Sequence, residues 1–522
     1  MRQSLAVLGL VLALSVAGCS DYLSGPGVDR DPNNPTALQR AAPLYVSIQA
    51  AGPVQRQGQL ARFAAEYTQQ VAGIDRQQAD FDLYGGTQAD TDFYFGAIYG
   101  TSNVITGGGG LLDIHKLQQI ALAAGDSLYV GIGKVYEAMY MGFAADLFGD
   151  IPYRQAADST NTVPAFDPQL QIYADLQAQL DSAINIYLPA AGPSNLGPST
   201  DAADVVELIY AGRDAAGLRA VYTAVAHSLK ARLYMHTAEV DPSAYALALA
   251  QVPLGITTPA DDFLWYHDQS SFGRNIWWQF NESRAGDLGP GAALIEILKR
   301  RIAAGTEDAL RLGFYFTPAT SGFFGFRPGA TTMATNGVIY NGAGDPGDAS
   351  YSGFAPSFDG SDAGASGFRI PEITFAETQL IAAEAAVATG GSGQTFLDAA
   401  RANRTYGTQI FGPAPGALPA TLENVMEEKY ITLFLNPEVW NDYKRTCLPA
   451  LAPAPTSTSA GSPPRATPIP GRLPYGQSEQ NANPNVPVTN SAGFPVTATG
   501  QNPNDPNPCP VLDYTSSTPL AN

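Results

Sequence analysis

Between positions 128 and 148 apolar side chains recur at every third or fourth place: Leu128, Ile132, Val135, Tyr136, Met139, Phe143 and Leu147. That spacing lines them along one stripe of an α-helix. Gly131, Ala138, Gly142 and Ala145 lie among them and let a neighbouring helix come close, while Gly149 and Pro152 mark the end. The same period predicts a helix over 53–73, with Leu60, Phe63, Ala64, Tyr67 and Val71 on one side. Further helices are predicted over 111–124, over 168–188 with a proline at its start, and over 218–237, where Leu218, Val221, Tyr222, Val225, Leu229 and Leu233 form the stripe. The pattern returns over 375–389, 395–404 and 422–435.

Helix following helix, with Ala and Tyr at the contacts, predicts a mainly α fold: a superhelix of stacked, tetratricopeptide-like helical hairpins. A clean 34-residue repeat is not visible, so the expectation rests on periodicity. Two stretches break it. Over 259–369 glycines and turn residues separate Trp265, Tyr266, Trp277, Trp278, Phe280, Phe323, Phe324, Phe326, Tyr340, Tyr351, Phe354 and Phe358, with 294–304 as the one helix. This piece reads as an irregular, loop-rich subdomain. The proline-rich stretch 447–522 has no helical period and is expected to be extended, wrapped over the body or partly loose. The resulting division is 1–18 leader, 19–37 tether, 38–258 helical region, 259–369 variable subdomain, 370–446 helical region and 447–522 wrapping tail.

The leader changes the picture most. Arg2 is followed by an apolar run from Leu5 to Ala17 and then by Gly18-Cys19. A basic start, an apolar run of that length and small residues before a cut site describe a secretory signal peptide. The run is shorter than the roughly 20 apolar residues that span a bilayer. Val16-Ala17-Gly18-Cys19 resembles the lipobox of bacterial lipoproteins, which implies acylation at Cys19 and attachment of the mature chain to a membrane through lipid. The chain has 522 residues, 45% of them hydrophobic and only 15% charged, with a net charge of −20. Such an acidic balance repels nucleic acid. Three cysteines occur. With Cys19 assigned to lipid, Cys447 and Cys509 are left in an exported chain, either as a disulfide pinning the tail or as two separate buried thiols.

Several segments resemble the SusD/RagB family of outer-membrane lipoproteins. Phe143-Ala144-Ala145-Asp146-Leu147-Phe148-Gly149-Asp150-Ile151-Pro152-Tyr153 is similar to one of its conserved segments. So are Ile370-Pro371-Glu372-Ile373-Thr374-Phe375-Ala376-Glu377 with the helix that follows, the stretch 424–445 (NVMEEKYITLFLNPEVWNDYKR), and Arg472-Leu473-Pro474-Tyr475 with Glu479 and Asn483-Pro484-Asn485. Together with the leader they span nearly the whole chain in the family's order. The resemblance implies four tetratricopeptide-like pairs and a variable subdomain carrying the ligand site. It also implies a lid on a SusC-like TonB-dependent barrel of the bacterial outer membrane, fed with oligosaccharides or, in the RagB branch, oligopeptides. The chain departs from the family at Gly212 to Leu218, where many relatives place a tryptophan, and the middle stretch matches no ligand-binding pattern.

The residues leave three classes of function to compare: a binding subunit, a lipoprotein glycosidase and a helical adaptor without a small ligand. Glu377 and Glu384 share a helix face, but catalytic carboxyls of glycosidases face each other across a cleft. The expected role is charge pairing, with Arg401 or Arg404 as partners. Asp146 and Asp150 read as residues of the turn after their helix. His115, His227, His236 and His267 make no i,i+4 pair and no HExxH, so no metal and no cofactor are expected. Asp345-Pro346-Gly347-Asp348 and Asp359-Gly360-Ser361-Asp362 have the oxygens for calcium but not EF-hand spacing. The aromatics fit a sugar best, since flat rings meet the C–H face of a pyranose while polar edges take its hydroxyls. Candidate ligand contacts are Trp265, Tyr266, Trp277, Trp278, Gln279, Asn281, Phe323, Phe324 and Tyr340, with Gln269, Arg274 and Asn275 as further polar edges. If the Trp pair lies on a strand, its side chains point to opposite faces. One of Trp277 and Trp278, with Trp265 or Tyr266, then forms the floor of a shallow site while the other packs inward.

Overall fold

The computed structural model describes residues 40–100, 108–319, 322–328, 352–451, 455–456, 465–466, 469–487 and 509, except 159, 195, 197–205 and 272. Cys19, Tyr340 and Asp345 to Asp348 lie outside the described residues.

Helices dominate. The first half contains α1 (Ala41–Gln57), α2 (Gln59–Tyr67), α3 (Arg76–Asp82), α4 (Gln88–Tyr99), α5 (Leu111–Ala124), α6 (Ser127–Phe148), α7 (Gln169–Ser182), α8 (Ala215–Thr237) and α9 (Ala244–Gln251). The middle contributes α10 (Ile276–Ser283), α11 (Ala292–Ala303) and α12 (Ala309–Tyr315). The second helical region has α13 (Phe375–Ala388), α14 (Gln394–Ala402), α15 (Leu422–Thr432) and α16 (Glu438–Thr446), and the tail adds α17 (Gln477–Ala482). Among the described residues every sheet is a two-stranded antiparallel pair. None of the described helices is long and apolar enough to cross a membrane.

Helix α6 is the axis of the helical region. Asp126 caps its start by accepting from the backbone of Leu128 and Tyr129, and Gly149, at φ +81°, ends it. It packs against α5 on one side and against α7 and α8 on the other, while α8 pairs with α9 and α13 with α14. The predicted helix over 53–73 is two helices. A break at Gly58 separates α1 from α2, and Pro53 is accommodated inside α1 rather than starting it. Beside Pro53, Gly52 lies against Trp265 so closely that a Cβ would come within 2.1 Å of the indole. That contact brings the first tryptophan of the middle stretch into the helical core.

Two large apolar clusters result. One joins α1 to α8 with Phe263, Trp265, Trp440 and Tyr475. The other joins Ala61, Ala65 and Val71 to Trp277, Leu294, Tyr315, Phe358 and Phe434. The stretch 259–369 therefore does not form a core by itself: residues of α2, α15 and the turn after α15 complete it.

The segments that resembled a known family meet inside the protein as buried charges. The Arg232 guanidinium donates to both oxygens of Glu377 at 2.7 Å, to the Glu372 carboxylate at 3.2 Å and to the Glu372 carbonyl at 2.6 Å. Arg56 and the Trp265 indole reach the same Glu372 at 2.5 and 2.8 Å. Lys429 bridges Glu384 and Asp442 at 3.1 and 2.7 Å, and Arg445 closes that ring onto both carboxylates. The partners expected for Glu377 and Glu384 are thus replaced. Arg401 pairs instead with Glu428, and Arg404 with Glu307 and Asp308. Helical spacing places a charge on a face but does not say which distant helix meets it.

His236 is held between two carboxylates, 2.9 Å from Asp146 and 2.6 Å from Glu438. Burial opposes its charge, but Asp146 and Glu438 outweigh burial and lift its pKa to about 9. A histidine whose folded pKa is raised stabilises fully below its unfolded value near 6.5 and loses that contribution as pH rises through 9. Folding stability is therefore expected to fall by up to about 3 kcal/mol between pH 6.5 and 9.5. A His236→Gln variant should show a flatter profile when urea midpoints are measured across that range.

The described residues of 469–487 lie against the helical region. The Trp440 indole donates to the Pro470 carbonyl at 2.8 Å. The Leu473 amide donates to the Leu147 carbonyl at 2.7 Å, and the Tyr475 hydroxyl to the Asp150 carbonyl at 2.6 Å. Cys447 and Cys509 are joined by a disulfide, with Cα atoms 5.3 Å apart.

Candidate ligand-binding site

The tryptophans singled out from the sequence are structural. Trp265 and Trp277 are 0% exposed and Trp278 is 1% exposed. The Trp pair lies on helix α10, not on a strand. Asn275 caps that helix, its side chain accepting from the backbone of Trp277 and Trp278 at 2.9 and 3.2 Å. On a helix adjacent residues are about 100° apart, so both rings can turn inward, where a strand would have sent one outward. The Trp278 indole donates to the Asp362 carbonyl at 3.1 Å. The polar edges are spent in the same way. Asn281 donates to the Phe358 carbonyl at 2.7 Å, Gln279 to the Arg274 carbonyl at 2.6 Å, Gln269 to the Gly364 carbonyl at 2.7 Å and Asn275 to the Phe368 carbonyl at 2.8 Å.

Three of the other expected rings are half-buried. Tyr266 carries the Arg369 guanidinium over its ring at 4.7 Å and donates its hydroxyl to Asp268. Phe324 carries the Lys299 ammonium at 4.9 Å, and Phe323 packs against the second core. Each is engaged by the protein on at least one side.

A different group of rings gathers at the seam between the two cores. Phe280, one turn after Trp277 on α10, packs on the second core. Tyr94, on α4, packs on the first. Helix α4 is set by a capping box in which Thr87 and Asp90 satisfy each other's backbone. Phe93 meets Tyr94 edge to face, with centroids 5.2 Å apart. The Arg62 guanidinium stacks on Phe280 at 4.0 Å and donates to Gln59 at 3.2 Å. Burial lowers the Arg62 pKa to about 10, which still leaves it charged at neutral pH, with Tyr94 and Glu66 supporting the charge and Arg284 opposing it. Phe93, Tyr94 and Phe280 are all half-buried, and Phe280 lies against the Arg62 guanidinium. Ligand sites favour such junctions, where apolar walls carry a few placed polar groups. The sequence displayed these rings, but their half-exposure depends on how two cores meet. The nearest local signal was the Asn275 cap, which marks α10 as a helix.

An apolar hollow of about 240 Å³ lies between α7, α8 and α9, lined by Leu170, Tyr173, Leu233, Tyr234, Val240 and Leu247. It offers a sugar few hydrogen-bond partners. Nor does the geometry support chemistry. Glu377 and Glu384 are buried and locked to cations. Burial opposes the Glu384 charge, yet Arg445 and Lys429 hold its pKa near 2, so it cannot serve as a general acid near neutral pH. Asp146, His236 and Glu438 lie close enough to suggest a metal site. However, carboxylates sit at both imidazole nitrogens, the Lys444 ammonium donates to the Asp146 carbonyl at 2.6 Å, and Arg232 stands 3.8 Å from Glu438. This cluster is a clamped imidazolium. Asp359 accepts from Ser361, and Asp362 from Gly364, within their own turns.

The same fold recurs in solved structures. A chitin-binding protein superposes with a TM-score of 0.67 at 21% identity, covering 90% of this chain and 100% of that one. A SusD/RagB family protein from Bacteroides thetaiotaomicron gives a TM-score of 0.62 at 19% identity, covering 85% and 95%. A SusD homologue from Bacteroides uniformis gives 0.63 at 20% identity, covering 88% and 98%. No curated protein matches the chain in sequence. The solved chitin-binding protein of this fold is named for binding rather than for a reaction. A family model described as "Starch-binding associating with outer membrane" matches residues 40–476, and the chain belongs to that SusD-like family.

Proposed function

We propose that this chain is a lipid-anchored protein of the bacterial outer membrane that binds oligosaccharides and passes them to a SusC-like TonB-dependent barrel. The observation that carries the ligand class is the half-buried Phe280 stacked on the Arg62 guanidinium, with the half-buried pair Phe93 and Tyr94 on the adjoining helix α4. Half-buried rings suit the C–H face of a sugar, and the buried Arg62 fixes the Phe280 ring from behind. The starch-binding description of the family and the chitin-binding protein of the same fold support that class. A net charge of −20 favours neutral glycans over polyanionic ones. An array of neutral glycans, acidic glycans and peptides, probed with the mature chain, tests the reading. Retention of neutral glucose- or N-acetylglucosamine-based oligomers is expected. Retention of peptides alone would contradict it and place the chain with the peptide-binding branch.

Anchoring rests on Val16-Ala17-Gly18-Cys19. Mass spectrometry of the mature N-terminus is expected to find an acylated Cys19, and Cys19→Ala should leave the protein uncleaved or free of the membrane. An unmodified residue other than Cys19 at the mature N-terminus would refute the anchor.

A further inference from the structure

Helices α7, α8 and α9 surround the apolar hollow and leave it open. Tyr173 and Leu233 line it as buried side chains, while Leu170, Val240 and Leu247 around them are 40%, 47% and 45% exposed. Single exposed apolar residues are ordinary, but three around one concavity mark a surface that something covers. At about 240 Å³ the hollow exceeds the roughly 150 Å³ of a cavity that takes up benzene. It therefore has room for an aromatic or branched side chain.

The hollow continues into a smaller polar recess. Leu170, Tyr173 and Val240 wall both, and the recess adds Asn441 and Lys444 from α16. The groove thus runs from α16 to α9. Its charges are mixed at the α16 end, Lys444 and Arg445 against Asp146 and Glu239, so charge does not select the occupant there. The apolar end does.

The disulfide stands beside the α16 end. The Cys509 sulfur lies 3.4 Å from the Tyr443 carbonyl and 3.6 Å from the carbonyl of Lys444, a residue that lines the recess. Residues 510–522 lie outside the described residues, and their sequence opens with Pro510-Val511-Leu512-Asp513-Tyr514. Pro510 disfavours helical backbone at Cys509. In an extended segment Leu512 and Tyr514 share one side, while Asp513 takes the other. Extended chain advances about 3.3 Å per residue, so Tyr514 reaches up to roughly 17 Å from Cys509. A short tether holds a segment at an effective concentration of roughly millimolar, so side chains of modest affinity stay seated.

We propose that Leu512 and Tyr514 fill the hollow, so that the segment after Cys509 straps α16 to α7, α8 and α9. The disulfide anchors the strap at one end of the groove, and the two side chains close the other end to any further ligand.

The test uses the mature full-length chain with photoreactive p-azidophenylalanine in place of Tyr514, which keeps the ring. After irradiation, mass spectrometry is expected to find cross-links within one chain to peptides carrying residues 170–177 or 233–247. Leu247→Glu, a change at an exposed rim residue, should lower their yield severalfold. Cross-links elsewhere on the chain, or none, would overturn the proposal and leave the hollow for another protein. Cross-links only between two chains would overturn it in favour of a second copy. An undiminished yield in Leu247→Glu would overturn it as well, since the label would then reach the rim without entering the hollow.

Discussion

Replacing Glu428 by glutamine is expected to cost about 3–5 kcal/mol of folding stability, the loss seen when one partner is removed from a buried ion pair. Glu428 is 1% exposed and accepts from Arg301 at 2.5 Å, Arg311 at 2.7 Å and Arg401 at 3.0 Å. Burial opposes its charge, but the three guanidiniums hold its pKa well below the usual carboxylate range. A depressed carboxylate contributes stability that is complete above its unfolded pKa near 4.5 and is lost as pH falls. The variant should therefore be less stable at pH 7 and less sensitive to acid than the wild type. The adjacent Glu427 provides the comparison, since it pairs with the partly exposed Arg300 and with only one buried guanidinium, that of Arg301 at 3.2 Å. Glu427→Gln should cost less, about 1–3 kcal/mol, because it leaves one buried guanidinium short of a partner rather than three. Urea unfolding of both variants checks the contrast. Equal losses would show that the triple guanidinium contact does not set the stability of this region.

Removing the disulfide is expected to have the next largest effect. Cys447 and Cys509 are 62 residues apart, and the loop-entropy relation gives about 4 kcal/mol for a loop of that length. The loop is also held by Trp440 on Pro470 and by Tyr475 on Asp150, contacts that survive reduction and restrain the chain. The double variant Cys447→Ser, Cys509→Ser should therefore lose stability of the order of that figure without losing the helical circular dichroism signal. Thermal melts of the wild type with and without reductant should differ by as much as the wild type and the double variant do. A reductant-insensitive wild type would mean that the bond does not form in the mature protein.

The fold was legible wherever a long helix buried one face. Helix α6 was visible because its stripe runs over six turns, and α8 for the same reason. The family segments were legible as words, and the structure gives their physical reason. Asp146, Glu372, Glu377, Glu384, Lys429, Glu438, Asp442 and Arg445 are the buried charges that tie α6, α8, α13, α15 and α16 together. They specify the scaffold, so they identify the fold without naming the ligand. The site was harder to read. Helix α10 is too short for periodicity to separate it from a strand, and its two tryptophans drew attention because aromatic rings serve both cores and sugars. What distinguishes Phe280 from Trp277 is how deeply each is buried in the same second core, a property of packing between segments far apart in the chain.

The central claim is that oligosaccharide binds at the seam between the two cores. Isothermal titration calorimetry of the mature chain against the neutral oligosaccharide retained most strongly on the array tests it most directly, with Tyr94→Ala, Phe280→Ala and Trp278→Ala as variants. Loss of a contacting ring is expected to weaken binding by about 1–3 kcal/mol for Tyr94→Ala and Phe280→Ala. Trp278→Ala should lower the melting temperature while the folded fraction keeps its affinity. Wild-type affinity in both Tyr94→Ala and Phe280→Ala would contradict the account and place the ligand elsewhere on the protein.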